Sequence, residues 1–202
     1  KSIHDLDPFN TLVDLNRAGV PLVEIVSEPD IRSANEAYNY INQVRKLVRY
    51  LDICDGNMEE GSLRCDANIS VRKRGEKEFG TKVEVKNMNS TRNVKRAIEF
   101  EIKRQIDLIE NGGKIKHETR SFNAANNSTI AMRHKEEAND YRYFPEPDLQ
   151  PIIVTQDYIE KVKATLPPLP KELYQKFTKE FNLSDYDANI LVDEKAIALY
   201  FN

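Results

Sequence analysis

Two short stretches carry acidic, basic and amide side chains at every second position. Ser62, Arg64, Asp66 and Asn68 alternate with Leu63, Cys65, Ala67 and Ile69, and Lys82, Glu84 and Lys86 alternate with Val83 and Val85. That period belongs to a strand with one buried face, so each polar set shares one side of its strand. If the two faces coincide in a hairpin, Asp66 and Glu84 offer hard carboxylate oxygens to a cation such as Mg²⁺, while Arg64 and Lys86 neutralise phosphate oxygens. Phosphoryl transfer asks a protein for that equipment. A solvated sheet face with opposite charges paired across strands gives the same alternation. What sets this one apart is composition, because Asp and Asn are poor strand formers and Asp66 and Asn68 lie at its centre.

Other residues invite a chemical reading beside a plain one. Glu24 interrupts the apolar run Val20-Pro-Leu-Val-Glu-Ile-Val26. In a strand covered on both faces its carboxylate needs a metal, a cation or several donors, whereas on an exposed face it needs none. Glu146 and Asp148, bracketed by Pro145 and Pro147 after Arg142 and Tyr143, form a rigid extended loop, which suits either the presentation of binding groups or a stiff connection. Glu59 and Glu60, before the hairpin, either add a carboxylate to that face or form a solvated acidic pair, the commoner state of paired acids at a strand entrance. Cys65 sits on the apolar side of its strand and reads as a small core residue, not a nucleophile. His4, His117 and His134 lack relay or zinc spacing, and no P-loop, G-x-G-x-x-G or serine nucleophile motif occurs.

The elements that position these groups follow from periodicity and punctuation. Leu12 to Arg17 and Val20 to Val26 read as strands around Ala18-Gly19. Ser33-Ala-Asn-Glu36 is a capping box opening a helix to about Leu51, with Ala37, Ile41, Val44, Val48 and Leu51 on one face. Ser62 to Arg72 and Thr81 to Lys86 form an antiparallel hairpin through the turn at Lys73-Arg-Gly-Glu76. A helix from Ser90 to Glu110 carries Val94, Ile98, Ile102, Ile106 and Ile109 inward and closes at Gly112-Gly113. Residues 114–122 and 128–134 make a second hairpin around the turn Asn123 to Asn127. A short helix follows Thr155. Leu166-Pro-Pro-Leu-Pro170 marks a domain junction, beyond which Leu173, Phe177 and Phe181 give a helical pattern with Ser184 and Asp193 as caps.

With 202 residues, 40% hydrophobic and 31% charged, the chain reads as soluble and globular, one sizeable core and part of a second domain. No apolar stretch approaches a membrane span of roughly 20 residues. Cys54 and Cys65 are too few for a disulfide framework and fit a reducing compartment, the cytosol or an organelle matrix. A net charge of −3 gives no basic footprint, so any nucleic-acid contact is local or lies elsewhere.

Four strings take the reading further. Leu15-Asn-Arg-Ala-Gly-Val-Pro-Leu-Val-Glu-Ile-Val-Ser-Glu-Pro-Asp30, Met58-Glu-Glu-Gly-Ser-Leu-Arg-Cys-Asp-Ala-Asn-Ile-Ser70, Gly80-Thr-Lys-Val-Glu-Val-Lys-Asn87 and Asp140-Tyr-Arg-Tyr-Phe-Pro-Glu-Pro-Asp148 resemble, in order, the GatB family of amidotransferase B subunits. The resemblance implies an α+β fold: an antiparallel-sheet cradle related to glutamine synthetase over residues 1–165, followed by the start of an all-helical domain over 166–202. It implies a ligase that uses Mg²⁺ and ATP to phosphorylate the side-chain carboxylate of Glu-tRNA(Gln) or Asp-tRNA(Asn), with ammonia led from a glutaminase A subunit. The partners it implies are that subunit, a small C subunit and the mischarged tRNA.

Residue by residue, the resemblance makes Glu24, Asp66 and Glu84 the metal ligands, and Asp66, Glu84, Arg64, Asn68, Lys86 and Asn87 the catalytic set. Ser62, Lys82, Arg142 and Glu146 are the expected cofactor contacts. Further family ligands, a histidine and glutamates, fall before Lys1, and the chain stops within an apolar helical pattern at Tyr200-Phe-Asn202. It therefore reads as a piece of a longer protein, expected to fold without transamidating alone. A noncatalytic scaffold and an unrelated Mg²⁺ phosphotransferase are the competing readings.

Overall fold

The computed structural model describes residues 2–3, 9–16, 18–132 and 149–202. Contacts divide the chain into two units, Lys1–Ile31 and Arg32–Asn202.

In the first unit β1 (Ser2–Ile3) pairs antiparallel with β2 (Leu12–Val13). The strand expected from Leu12 to Arg17 is shorter because the Asp14 carboxylate accepts the Asn16 N–H at 2.9 Å, an Asx turn that bends the chain away. The strand expected from Val20 to Val26 is not formed. Its residues are irregular and exposed, with Leu22 78% and Val26 81% accessible. β-branched residues favour a strand only when another strand takes their backbone groups, and among the described residues none pairs with this segment.

The second unit opens with α1 (Ala34–Tyr50), capped as its sequence requires. Ser33 Oγ accepts the Glu36 N–H at 3.2 Å and the Glu36 carboxylate accepts the Arg32 N–H at 2.6 Å. Then follow β3 (Ala67–Ile69), β4 (Val83–Lys86), α2 (Thr91–Glu110), β5 (Glu118–Asn123) and β6 (Ser128–Ala131). The sheet order is β3-β4-β5-β6, with antiparallel hairpins at both sides. At its centre β4 and β5 are parallel, because α2 carries the chain back to the end where β4 began. The sheet is therefore mixed, not antiparallel throughout, and the fold is α+β with a βαβ crossover between two hairpins.

Only residues 67–69 of the stretch from Ser62 to Arg72 are hydrogen-bonded as a strand, yet its two faces are as the alternation dictates. Ser62, Arg64, Asp66 and Asn68 are exposed, while Leu63, Cys65 and Ala67 pack on the core. That core joins Ile69, Val83, Val85, Met88 and Phe122 to Val94, Ala97 and Ile98 of α2 and Ala34 and Ala37 of α1. Val83 and Val85 are fully buried, each worth about 1.5–3 kcal/mol of burial free energy.

One inward face differs from expectation. Ile106 and Ile109 are 40% and 43% exposed, and α2 instead buries Glu101 and Gln105 completely. Glu101 is closed into a network. Its carboxylate accepts from Arg104 at 2.6 Å, from Gln105 Nε2 at 3.0 Å and from Thr129 Oγ1 at 3.0 Å. Arg120 donates to Thr129 Oγ1 at 2.8 Å and to Glu118 at 2.7 Å. Gln105 Nε2 also donates to the Ile69 carbonyl at 3.0 Å, fixing α2 to β3. Burial pushes the Glu101 carboxyl up, but Arg104, Gln105 and Thr129 together outweigh it and hold it below the ordinary carboxylate value.

A group depressed in the folded state contributes stability that is fully present above its unfolded value, about 4.3, and is lost as pH falls through the folded value. Between about pH 5 and pH 3 the parent is therefore expected to lose more stability than Glu101→Gln, read from urea midpoints. Equal acid slopes would contradict this role.

α3 (Gln156–Ala164) starts at a Thr155 cap, and α4 (Pro170–Lys179), α5 (Asp185–Leu191) and α6 (Lys195–Phe201) follow. Leu173, Phe177, Ala188, Val192 and Ala198 enclose Tyr50 of α1, whose hydroxyl donates to the Val192 carbonyl at 2.8 Å. Ser184 caps α5 as expected, but α6 is capped at Glu194, not Asp193, whose carboxylate instead pairs with Lys46 at 2.8 Å. No helix among the described residues is long and apolar enough to cross a membrane.

Candidate functional site

The sheet face opposite α2 presents two rows of polar side chains set by register. Asn68, Glu84 and Thr119 form one row, since Asn68 pairs with Glu84 and Glu84 with Thr119. Lys86 pairs with Ser121 on β5, and continuing the β3–β4 register places Asp66 opposite Lys86. The contacts agree. Lys86 Nζ lies 2.5 Å from Asp66 Oδ2 and 3.2 Å from Glu84 Oε1, so one ammonium bridges the two carboxylates. Thr119 Oγ1 donates to the other Glu84 oxygen at 3.0 Å. Asn87 stands at φ 71°, a left-handed conformation asparagine tolerates, and donates to Ser121 Oγ at 3.1 Å.

The Asp66 hydrogen bond, followed by Glu84, holds the Lys86 ammonium above its ordinary value against partial burial, so it is charged at neutral pH. Asp66, Glu84 and Lys86 are 46%, 33% and 39% exposed, which leaves them open to a ligand from the solvent side. Ion pairs this exposed contribute about 0–1 kcal/mol to folding, so they can be altered without unfolding the sheet.

Expected site residues divide clearly. Asp66, Glu84 and Lys86 are in direct contact, Asn68 is beside Glu84, and Asn87 closes the end of the β5 side. Arg64 and Lys82 are exposed. Ser62 is exposed and bonds to Asp55, whose carboxyl is lowered first by the Asn57 N–H and then by Ser62. Glu24 is exposed within the first unit. Arg142 and Glu146 lie outside the described residues. Thr119 and Ser121 were not singled out from sequence. Their alternation in Glu118-Thr-Arg-Ser-Phe122 was a usable signal, but placing them beside β4 required the parallel crossover.

The donor set suits a hard cation, with two carboxylates, an amide and two hydroxyls offering oxygen. It is not a closed cage: Lys86 occupies the space between the carboxylates, and among the described residues no three acidic, histidine or cysteine side chains gather as a metal-holding group. Mg²⁺ commonly takes only one or two carboxylates from a protein and completes its shell with water and phosphate oxygens.

Cys65, on the core side of the same segment, is pushed up to about 11 by burial, with Asp66 adding to it. At neutral pH the thiol is protonated and inert. Maleimide is expected to label native Cys65 at least about tenfold more slowly than the denatured chain; equal rates would show that the segment opens.

Residues 1–160 match the family described as GatB/GatE catalytic domain. Three curated relatives each carry the name of the B subunit of an aspartyl/glutamyl-tRNA(Asn/Gln) amidotransferase. Those from Vesicomyosocius okutanii and Thermodesulfovibrio yellowstonii are 57% identical, and that from Pseudomonas entomophila is 56% identical, over 201 residues. The alignments cover 100% of this chain and 42% of each relative, so the chain spans less than half their length. These matches place the chain in the GatB/GatE family, with residues 1–160 corresponding to its catalytic domain.

Proposed function

We propose that this chain is the central part of an amidotransferase B subunit that activates the side-chain carboxylate of glutamate or aspartate mischarged on tRNA and passes it to ammonia. The single observation carrying the reading is the bridge Asp66–Lys86–Glu84 on the solvent side of the sheet, flanked by Asn68, Thr119 and Ser121.

A carboxylate is a poor acyl donor because its leaving oxygen carries full charge. Transfer of a phosphoryl group from ATP to that oxygen makes an acyl phosphate, and ammonia then displaces inorganic phosphate to leave the amide. Lys86, kept charged by its acids, is suited to hold a phosphoryl oxygen, and Asn68 and Asn87 to orient the substrate by their amides. Asp66 and Glu84 would hold Mg²⁺, which supplies Lewis-acid stabilisation of phosphoryl charge. Glu24 as a further metal ligand, Arg64 beside the phosphates, and Ser62, Lys82, Arg142 and Glu146 as nucleotide contacts are proposed on the family resemblance. So are the glutamine synthetase-like cradle, a glutaminase A subunit and a small C subunit as partners, and a cytoplasmic or organelle-matrix setting.

The test is amidation of Glu-tRNA(Gln) and of Asp-tRNA(Asn) by the full-length subunit in its complex, with ATP and either glutamine or ammonium. ATP-dependent amide on at least one tRNA, lost in Asp66→Asn, supports the reading. Glutamine-dependent amidation that survives Asp66→Asn and Glu84→Gln would make this sheet a scaffold instead.

A further inference from the structure

We infer that the tip of the β3–β4 hairpin, residues 72–79 with Arg32, is a surface for an RNA phosphate backbone. It rests on the reading above that the substrate is carried on tRNA.

Between Arg72 and Phe79 four cations, Arg72, Lys73, Arg74 and Lys77, stand against Glu76 and Glu78, in a chain whose net charge is −3. All are exposed. Some cations elsewhere lie against carboxylates, among them Lys46, Arg49, Lys86, Arg104 and Arg120. Among the described residues Arg72, Lys73, Arg74 and Lys77 have no carboxylate at ion-pair distance.

The second observation is Phe79, an exposed aromatic ring on which two arginines from distant parts of the chain converge. The Arg72 guanidinium is 4.7 Å and the Arg32 guanidinium 5.8 Å from its centroid. Arg72 also donates to the Lys77 carbonyl across the turn. A guanidinium seated on an aromatic ring keeps its positive charge, which a polyanion laid across the tip can meet. With Arg72 fixed by the ring and by the Lys77 carbonyl, its remaining N–H groups can meet a phosphate oxygen at reduced entropic cost. Phe79 is thus a positioning residue, and the contact is read by charge, independent of base sequence.

Fluorescence anisotropy with a labelled tRNA(Gln) transcript tests this in the full-length subunit within its complex, across a salt series and beside the amidation assay. The variants are Lys73→Ala with Arg74→Ala, and Phe79→Leu, which keeps an apolar side chain without the ring quadrupole. The double variant should weaken binding about tenfold at 0.1 M salt and reduce the log–log salt slope by about two, with kcat at saturating tRNA unchanged. Phe79→Leu should weaken binding about threefold and leave the slope near that of the parent. Parental affinity and slope in both variants of an actively amidating enzyme would overturn the RNA surface and leave the proposed function standing. A parent that binds tRNA through this tip without amidating any substrate would overturn the function and leave the surface. Loss of the partner subunits by these variants, with tRNA affinity intact, would assign the tip to a protein contact and also overturn it.

Discussion

Lys86→Met in the full-length subunit, assayed in its complex, is expected to lower kcat for ATP-dependent amidation by about 10²–10³, the usual effect of removing one preorganised charge donor from a phosphoryl or acyl site. Methionine keeps the stem that crosses the β3–β4 pair and deletes only the ammonium. Two changes follow in the same place. The group that neutralises phosphoryl oxygen is gone, and Asp66 and Glu84 now face each other with no cation between them. Because the three side chains are largely solvated, the urea midpoint should move little, within about 1 kcal/mol. An unchanged midpoint with a collapsed kcat separates a chemical role from a structural one. Near-parental kcat would remove Lys86 from the reaction.

Glu101→Ala should have the largest effect on stability. The carboxylate is fully buried and accepts from Arg104, Gln105 and Thr129, with Arg120 held 3.7 Å away on the other side. Its removal leaves the Arg104 and Arg120 guanidinium groups at the α2 to sheet interface with Glu118 as their one remaining shared carboxylate, and frees one hydrogen bond of the amide that ties α2 to Ile69. Breaking a buried pair from one side costs about 3–5 kcal/mol, which lowers Tm by roughly 10 °C in a chain of this size. A loss that large can prevent folding, so Glu101→Gln is the companion variant, retaining shape and part of the hydrogen bonding with a smaller drop. By contrast, Glu160→Ala, which breaks the exposed Lys163–Glu160 pair, should leave Tm in place. If Glu101→Ala melts with the parent, the network does not hold α2 to the sheet.

Much of this architecture was legible in local pattern. Ser33 with Glu36, Ser90, Thr155 and Ser184 announce helix starts, and each accepts the N–H it should. The alternations from Ser62 and from Thr81 gave the two faces, while the register of Asn68 with Glu84, and with it the meeting of Asp66 and Lys86, is set by how the hairpin closes. Period alone could not show that β5 lies parallel to β4, since sequence neighbours favour hairpins and this pairing depends on where α2 delivers the chain. Thr119 and Ser121 were missed for that reason. The inward face of α2 differs at Ile106 and Ile109 because apolar spacing carries no sign of a glutamate that partners on other elements can bury. Arg120 and Thr129, on strands far along the chain, make Glu101 the buried group. Val20 to Val26 had strand composition without a partner strand among the described residues, and composition does not supply one.

The measurement closest to the central claim is hydroxylamine trapping on Glu-tRNA(Gln) with ATP, without glutamine or ammonia, by the full-length subunit in its complex. If the face built by Asp66, Glu84 and Lys86 activates the substrate acid, the parent forms γ-glutamyl hydroxamate on tRNA with matching release of ADP, and Lys86→Met forms almost none while still binding that tRNA. Equal hydroxamate from parent and Lys86→Met would contradict the account.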